Sequence, residues 1–240
     1  MTRIHSVQVS VYSSDAYEHD SVTGIEGSYD STINFIKKLN SLNVSTVFKS
    51  VQLKNTIHNY FKTKFLGESL SNKVVMDLSL SPGYANKNKV NNYQPSIEQM
   101  VDVYTSEWIN SQLSVNNKHS PDNYPCSAGR KGLALSPCGD IYPCTGFPMK
   151  ISNIYEEAIA KFWYNRYNNT QYHEWISIRI TDLYKCNTYS YCAYCPEICA
   201  GAAWLKMGNY KYPSENSCQR AQALESVVMS QKLLIESEGR

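Results

Sequence analysis

The chain has 240 residues, an apolar share of 42% and a charged share of 18%, which fits packed globular structure of one large domain or two modest ones and excludes a disordered chain. A net charge of +2 without a Lys/Arg-dense run argues against nucleic acid as a partner. No window approaches about 18 uninterrupted apolar residues and the first residues lead into an alternating run, so neither a membrane span nor a secretory leader is expected, and a reducing, cytoplasmic setting is.

The first half alternates strand and helix signals. Val7, Val9 and Val11 share one face of the run HSVQVSVY, a strand over about Ile4–Tyr12. Gly24–Ser28 reads as a turn, with Ser28 or Asp30 available to cap a helix whose stripe is Ile33, Phe35, Ile36 and Leu39. A β-branched strand follows over Val44–Leu53, then an amphipathic helix over Ile57–Leu66. A third strand over Val74–Leu80 ends at Ser81-Pro82-Gly83, and a helix over Ile97–Leu113 closes the series. Three strand–helix units imply parallel strands. They make half of a (βα)6 barrel, somewhat less than half of a (βα)8 barrel, or a small three-layer sheet.

The polar, proline-bearing segment Ser114–Pro125 reads as a linker between a first domain (1–113) and a second (126–240). In the second, helices are expected over Ile154–Tyr164 and Gln219–Ser237, and the rest looks organised by cysteines, as in a loop-rich unit where metal bonds replace a core. None of the eight cysteines lies in residues 1–125. They run Cys126-x11-Cys138-x5-Cys144, then Cys186-x5-Cys192-x2-Cys195-x3-Cys199, then Cys218.

An even count suits disulfides, but a reducing setting does not. Two four-thiolate zinc sites are chemically allowed, yet only Cys192–Cys195 has the paired C-x2-C spacing of a zinc knuckle. Two [4Fe–4S] clusters fit better, since C-x2-C-x3-C with Pro196 after a cysteine is an iron–sulfur pattern and eight ligands divide into two sets of four. The five histidines are scattered and read as structural, His19-Asp20 as a turn-forming pair. No P-loop or nucleophile-elbow pattern occurs. The 19 tyrosines, without a cationic track, read as packing residues.

Several of these motifs carry a resemblance. Leu135-Ser-Pro-Cys-Gly-Asp-Ile-Tyr-Pro-Cys144, Ser152-Asn-Ile154 and Cys195-Pro-x2-Cys199-Ala-Gly201 are similar to the SPASM domain of radical S-adenosylmethionine (SAM) enzymes. Upstream, Val7-Gln-Val-Ser10-Val-Tyr-Ser and His19-Asp20-x2-Thr23-Gly24-x2-Gly27-Ser28 resemble the fourth strand and following loop of the radical SAM barrel in peptide-modifying members. The resemblance departs at the tight cysteine group, which usually runs C-x2-C-x5-C-x3-C, and at Cys138, an extra cysteine before the Gly-Asp turn.

The resemblance implies an α/β fold in which the C-terminal half of a partial (βα)6 radical SAM barrel precedes a small SPASM iron–sulfur domain. It further implies that Cys126, Cys138, Cys144 and Cys199 hold one auxiliary [4Fe–4S] cluster, and Cys186, Cys192, Cys195 and Cys218 a second. Ser10 and Tyr12, at the C-terminal end of a barrel strand, are candidate SAM contacts, with solvent-facing strand residues as the alternative reading. Lys49 and Asn55 stand under the same two readings. The C-x3-C-x2-C loop that holds the family's SAM cluster has no counterpart before Cys126. S-adenosylmethionine is therefore expected only with the complete enzyme, whose N-terminal half, supplied by a longer chain or a separate one, is an expected partner beside a peptide or protein substrate. A stand-alone iron–sulfur electron-transfer or scaffold protein is the competing expectation.

Overall fold

The computed structural model describes residues 4–82, 89–109, 122–186, 188–195 and 198–238. Gly83, residues 110–121 with most of the expected linker, and Pro196 lie outside the described residues. The chain divides into two compact units, Met1–Leu80 with Asn91–Asn110, and Ser81–Val90 with Ser111–Arg240.

The first unit is a three-stranded parallel sheet in the order β1 (Ser6–Ser10), β2 (Ser45–Val51), β3 (Lys73–Asp77). Helices α1 (Ala16–Thr23) and α2 (Ser28–Ser41) follow β1, α3 (Tyr60–Leu70) follows β2, and α4 (Ile97–Ile109) follows β3. Alternation along the strands sends Val9, Val11 and Phe48 toward Ile33, Ile36 and Leu39 of α2, and these form one buried cluster. The expected strand–helix order is thus present, as the α/β arrangement required.

Helix α1 was not legible in the sequence, where its residues read as a loop. Asp15 caps it by accepting the Glu18 N–H at 3.0 Å, and Gly24 ends it at φ 73°. The cap of α2 also differs from expectation. Neither Ser28 nor Asp30 caps it; the Asp20 carboxylate accepts from the N–H groups of Gly27 and Tyr29 and the hydroxyl of Ser28, at 2.7–2.8 Å. The turn-forming role expected of His19-Asp20 therefore belongs to a carboxylate that joins two helices. Burial pushes that carboxyl's pKa up, but these hydrogen bonds outweigh it and hold it low.

The second unit contains a small antiparallel sheet, β4 (Ala134–Leu135), β5 (Asp140–Tyr142) and β6 (Ser152–Asn153). Helices α5 (Ile159–Asn165), α6 (Thr170–Ser177), α7 (Ala200–Met207) and α8 (Glu215–Glu238) follow. The helix expected from Ile154 begins five residues later, because the Asn153 side chain accepts the Tyr155 N–H and turns the chain there. Helices α6 and α7 are not among the elements expected from the sequence, and α8 starts four residues earlier than its sequence signal.

The expectation that metal bonds stand in for a core needs correction. Phe147, Trp175 and Tyr210 pack edge to face with ring centres 5.0–5.9 Å apart, and Trp204 stacks on Tyr210. Ile141, Met149, Tyr172, Ile178 and Ala221 extend this cluster. Among the described residues no helix is long and apolar enough to cross a membrane.

Candidate metal centres

Cys192 lies within a 3₁₀ turn, Ser190–Tyr194, and Cys195 caps its end, the Cys195 N–H donating to the Cys192 carbonyl at 3.2 Å. A 3₁₀ turn repeats every three residues, so the C-x2-C spacing places both side chains on one face. The turn packs against α8, from which Ser217, Cys218 and Ala221, with Ser214 just before the helix, line the opposing face at helical spacing. Cys186 enters just after Lys185, whose φ of 64° bends the chain. These four cysteines, from three separate segments, line one cavity of about 430 Å³. Its donors are thiols, and the pocket has room for a polynuclear cluster.

Burial, reinforced by the neighbouring thiols, pushes the Cys186 pKa up to about 12. Burial, with Cys192 adding to it, raises Cys218 to about 11, and Cys192 is also raised. In the metal-free cavity Cys186, Cys192 and Cys218 are therefore held as neutral thiols, which a bound cation would convert to thiolates.

Cys126, Cys144 and Cys199 occupy a second neighbourhood. The Cys126 thiol receives backbone N–H bonds from Ala128 and from Ala200, the residue after Cys199, and it lies in the field of Cys144 and the Arg130 guanidinium. Cys199 caps α7, its Sγ accepting the Ala202 N–H at 3.4 Å. Gly201 brings α7 against the turn after Cys144, because a Cβ there would drive into the Gly146 carbonyl. Burial raises the Cys126 pKa, partly offset by those N–H bonds and Arg130.

Cys138 is elsewhere in the hairpin. Gly139, at φ 79°, makes the expected Gly-Asp turn, and β5 carries the chain from there to Cys144 at its far end. Cys138 is exposed, its carbonyl held by the Asn153 side chain at 3.1 Å. Among the described residues, no three cysteine, histidine or acidic side chains converge closely enough to hold a single metal ion.

In the first unit, Gln8 and Ser10 share the face opposite the helices with Lys49 and Asp77, and Ser10 is the register partner of Lys49. Lys49 Nζ reaches Asp77 Oδ2 at 3.3 Å, a pairing the sequence did not signal. Tyr12 follows the strand end, where its N–H donates to Nδ1 of the buried His19 at 3.2 Å. Burial holds His19 below its ordinary pKa, against the opposing pull of Asp20.

Residues 126–196 match the SPASM family, an iron–sulfur cluster-binding domain. No curated protein matches the sequence. Among solved structures, a hexahistidine-tagged anSMEcpe with bound AdoMet is 14% identical and superposes with a TM-score of 0.65 over 97% of this chain and 66% of its own. Native anSMEcpe with bound AdoMet and the Cp18Cys peptide gives 14%, a TM-score of 0.62, 97% and 70%. Streptococcus suis SuiB bound to S-adenosylmethionine gives 18%, a TM-score of 0.57, 88% and 53%. The chain therefore carries a SPASM domain and shares the fold of radical SAM/SPASM enzymes, spanning about two thirds of the one and half of the other.

Proposed function

We propose that this chain is the C-terminal part of a radical SAM/SPASM enzyme acting on a peptide or protein, and that it carries two auxiliary [4Fe–4S] clusters. The observation that carries the reading is the cavity ringed by Cys186, Cys192, Cys195 and Cys218. The four reach it from a loop, a 3₁₀ turn and a helix, so that thiols from three segments line one space large enough for a cluster. The first cluster takes Cys126, Cys144 and Cys199; Cys138, assigned as its fourth ligand, is exposed at the opposite end of β5 and reaches the cluster only if the hairpin rearranges on loading.

Bound clusters would supply one-electron transfer. The chain's own contribution is to hold the thiols, exclude water with the Phe147–Trp175–Tyr210 core, and aim the Ala128, Ala200 and Ala202 N–H groups at ligand sulfurs. Hydrogen bonds to sulfur raise a cluster's potential. At the open face of the sheet, Ser10 and Tyr12 are the residues we assign to SAM contact, beside the Lys49–Asp77 pair. The SAM cluster itself needs cysteines that residues 1–125 do not contain, so it comes from a further segment or chain. The three structural neighbours with bound AdoMet, one of them also holding a peptide, support this assignment.

Anaerobic reconstitution with iron and sulfide tests the reading. About eight irons and eight sulfides per chain, with absorbance near 400 nm, are expected for two cubes. Zinc retention without that absorbance would overturn it.

A further inference from the structure

The second unit has another cavity, of about 670 Å³, unlike the cysteine pocket in charge. Arg130, Lys131, Arg166 and Arg179 line it, together with Tyr124 and Tyr167. No aspartate or glutamate among the described lining residues offsets the four cations, and none of the four takes part in an ion pair among the described residues.

Their arrangement concentrates the charge. The Arg130 guanidinium lies between the Tyr124 and Trp175 rings, 4.4 and 4.8 Å from their centres. Arg179 stacks on the same Tyr124 ring at 3.8 Å, so two guanidiniums share one aromatic residue. Arg130 spends its donors on the carbonyls of Cys126, Trp175, Ile176 and Ile178, at 2.8–3.4 Å, which satisfies its hydrogen bonds but leaves its charge uncompensated. Arg166 is held over Trp163 and Tyr167, 4.2 and 4.8 Å from the ring centres. Like charges brought together in a half-buried pocket repel unless an anion joins them, and aromatic faces hold the guanidiniums in place without neutralising them.

We propose that this cavity binds the carboxylates of an acidic stretch of peptide, as a recognition site for the substrate that the proposed function requires. Guanidinium forks match carboxylates two bonds at a time. The volume, about 670 Å³, exceeds that of a single small anion, so more than one carboxylate of a peptide has room beside the clustered cations. Cys126 is part of the wall, so a peptide seated there is held beside the first cysteine set.

The test uses the full chain after anaerobic reconstitution, titrated with a fluorescein-labelled hexapeptide bearing four glutamates, its glutamine counterpart, and inorganic phosphate as competitor. The glutamate peptide is expected to bind at least about tenfold more tightly than the glutamine one, as charge-assisted hydrogen bonds require, and to weaken with added salt. Arg166→Gln with Arg179→Gln should remove about tenfold of that affinity, with the near-ultraviolet circular dichroism of the aromatic core unchanged. Lys131→Gln, an exposed side chain, gives a second variant free of packing effects. Equal binding of both peptides, or unaltered affinity in both variants, overturns the proposal. Phosphate that binds more tightly than the glutamate peptide overturns the peptide assignment in favour of a free anion. Iron content measured on the same samples separates the two readings. Loaded clusters without peptide binding sink this inference alone, whereas peptide binding by a chain that never takes up iron sinks the proposed function.

Discussion

Gly201 of α7 lies so close to the carbonyl of Gly146 that no side chain fits between them. That contact sets the helix capped by Cys199 against the turn that follows Cys144, and so brings together cysteines 55 positions apart in the sequence. Gly201→Ala should force α7 away from the turn, costing about 1–3 kcal/mol as overpacking does. Thermal unfolding checks the cost. Iron analysis should show the first cluster lost and the second kept; a variant that loads both clusters fully would show that the contact does not position Cys199.

The exposure of Cys138 predicts unequal consequences of removing ligands. Cys126→Ala takes away a half-buried sulfur held by two backbone N–H groups and should halve the iron from about eight to about four per chain. Cys138→Ala should keep most of the iron but leave one iron open to solvent, so that added thiol or imidazole alters the electron paramagnetic resonance spectrum of the reduced protein. Identical losses in the two variants would contradict the difference in burial.

Thiol burial fixes a pH dependence for the metal-free chain. Cys186 and Cys218 have folded-state pKa values of about 12 and about 11, above the 9.0 of an exposed thiol. For a raised pKa the fold favours the protonated form. The stabilisation is complete below pH 9 and is lost as the pH rises through about 11 to 12. Denaturant midpoints of metal-free chain at pH about 8 and about 10.5 should therefore fall with pH, and less steeply in Cys186→Ser with Cys218→Ser. Cluster-bound protein, whose thiols have already given up their protons, should lack this component.

Strand β1 pairs with β2 alone among the described residues, so its other edge presents free backbone N–H and C=O groups. Expressed by itself the chain should self-associate with rising concentration, and Ser6→Lys with Gln8→Lys should suppress this. Sedimentation velocity checks both. A monodisperse, thermally stable wild-type monomer would count against a missing half of the barrel.

Much of this protein was legible because its signals are local. Val7, Val9 and Val11 alternate, Ile33, Ile36 and Leu39 recur at helical spacing, and each pattern names a buried face without reference to the rest of the chain. The grouping of Cys192 with Cys195 is of the same kind, since three residues make one 3₁₀ repeat. Helix α1 was hidden because its polar residues carry no apolar stripe, and α2 is capped from Asp20, eight to nine positions before the Ser28 and Tyr29 groups it accepts from. The aromatic core of the second unit was hidden for a different reason. Phe147, Trp175 and Tyr210 show no common period and meet only after several turns and helices have been placed.

By itself, then, the sequence determined the parallel α/β order, the concentration of cysteines after residue 125 and the resemblance to radical SAM/SPASM enzymes, all properties of residue type and short spacing. Only the tertiary structure decided which thiols share a cavity, that Cys138 is exposed while Cys126 is half-buried, that Lys49 pairs with Asp77, and that four cations line a cavity with no carboxylate among its described lining residues. The physical reason is common to all four. Burial, pairing and uncompensated charge depend on distances between segments far apart in the chain, and those distances come into being only when packing of apolar faces brings the segments together.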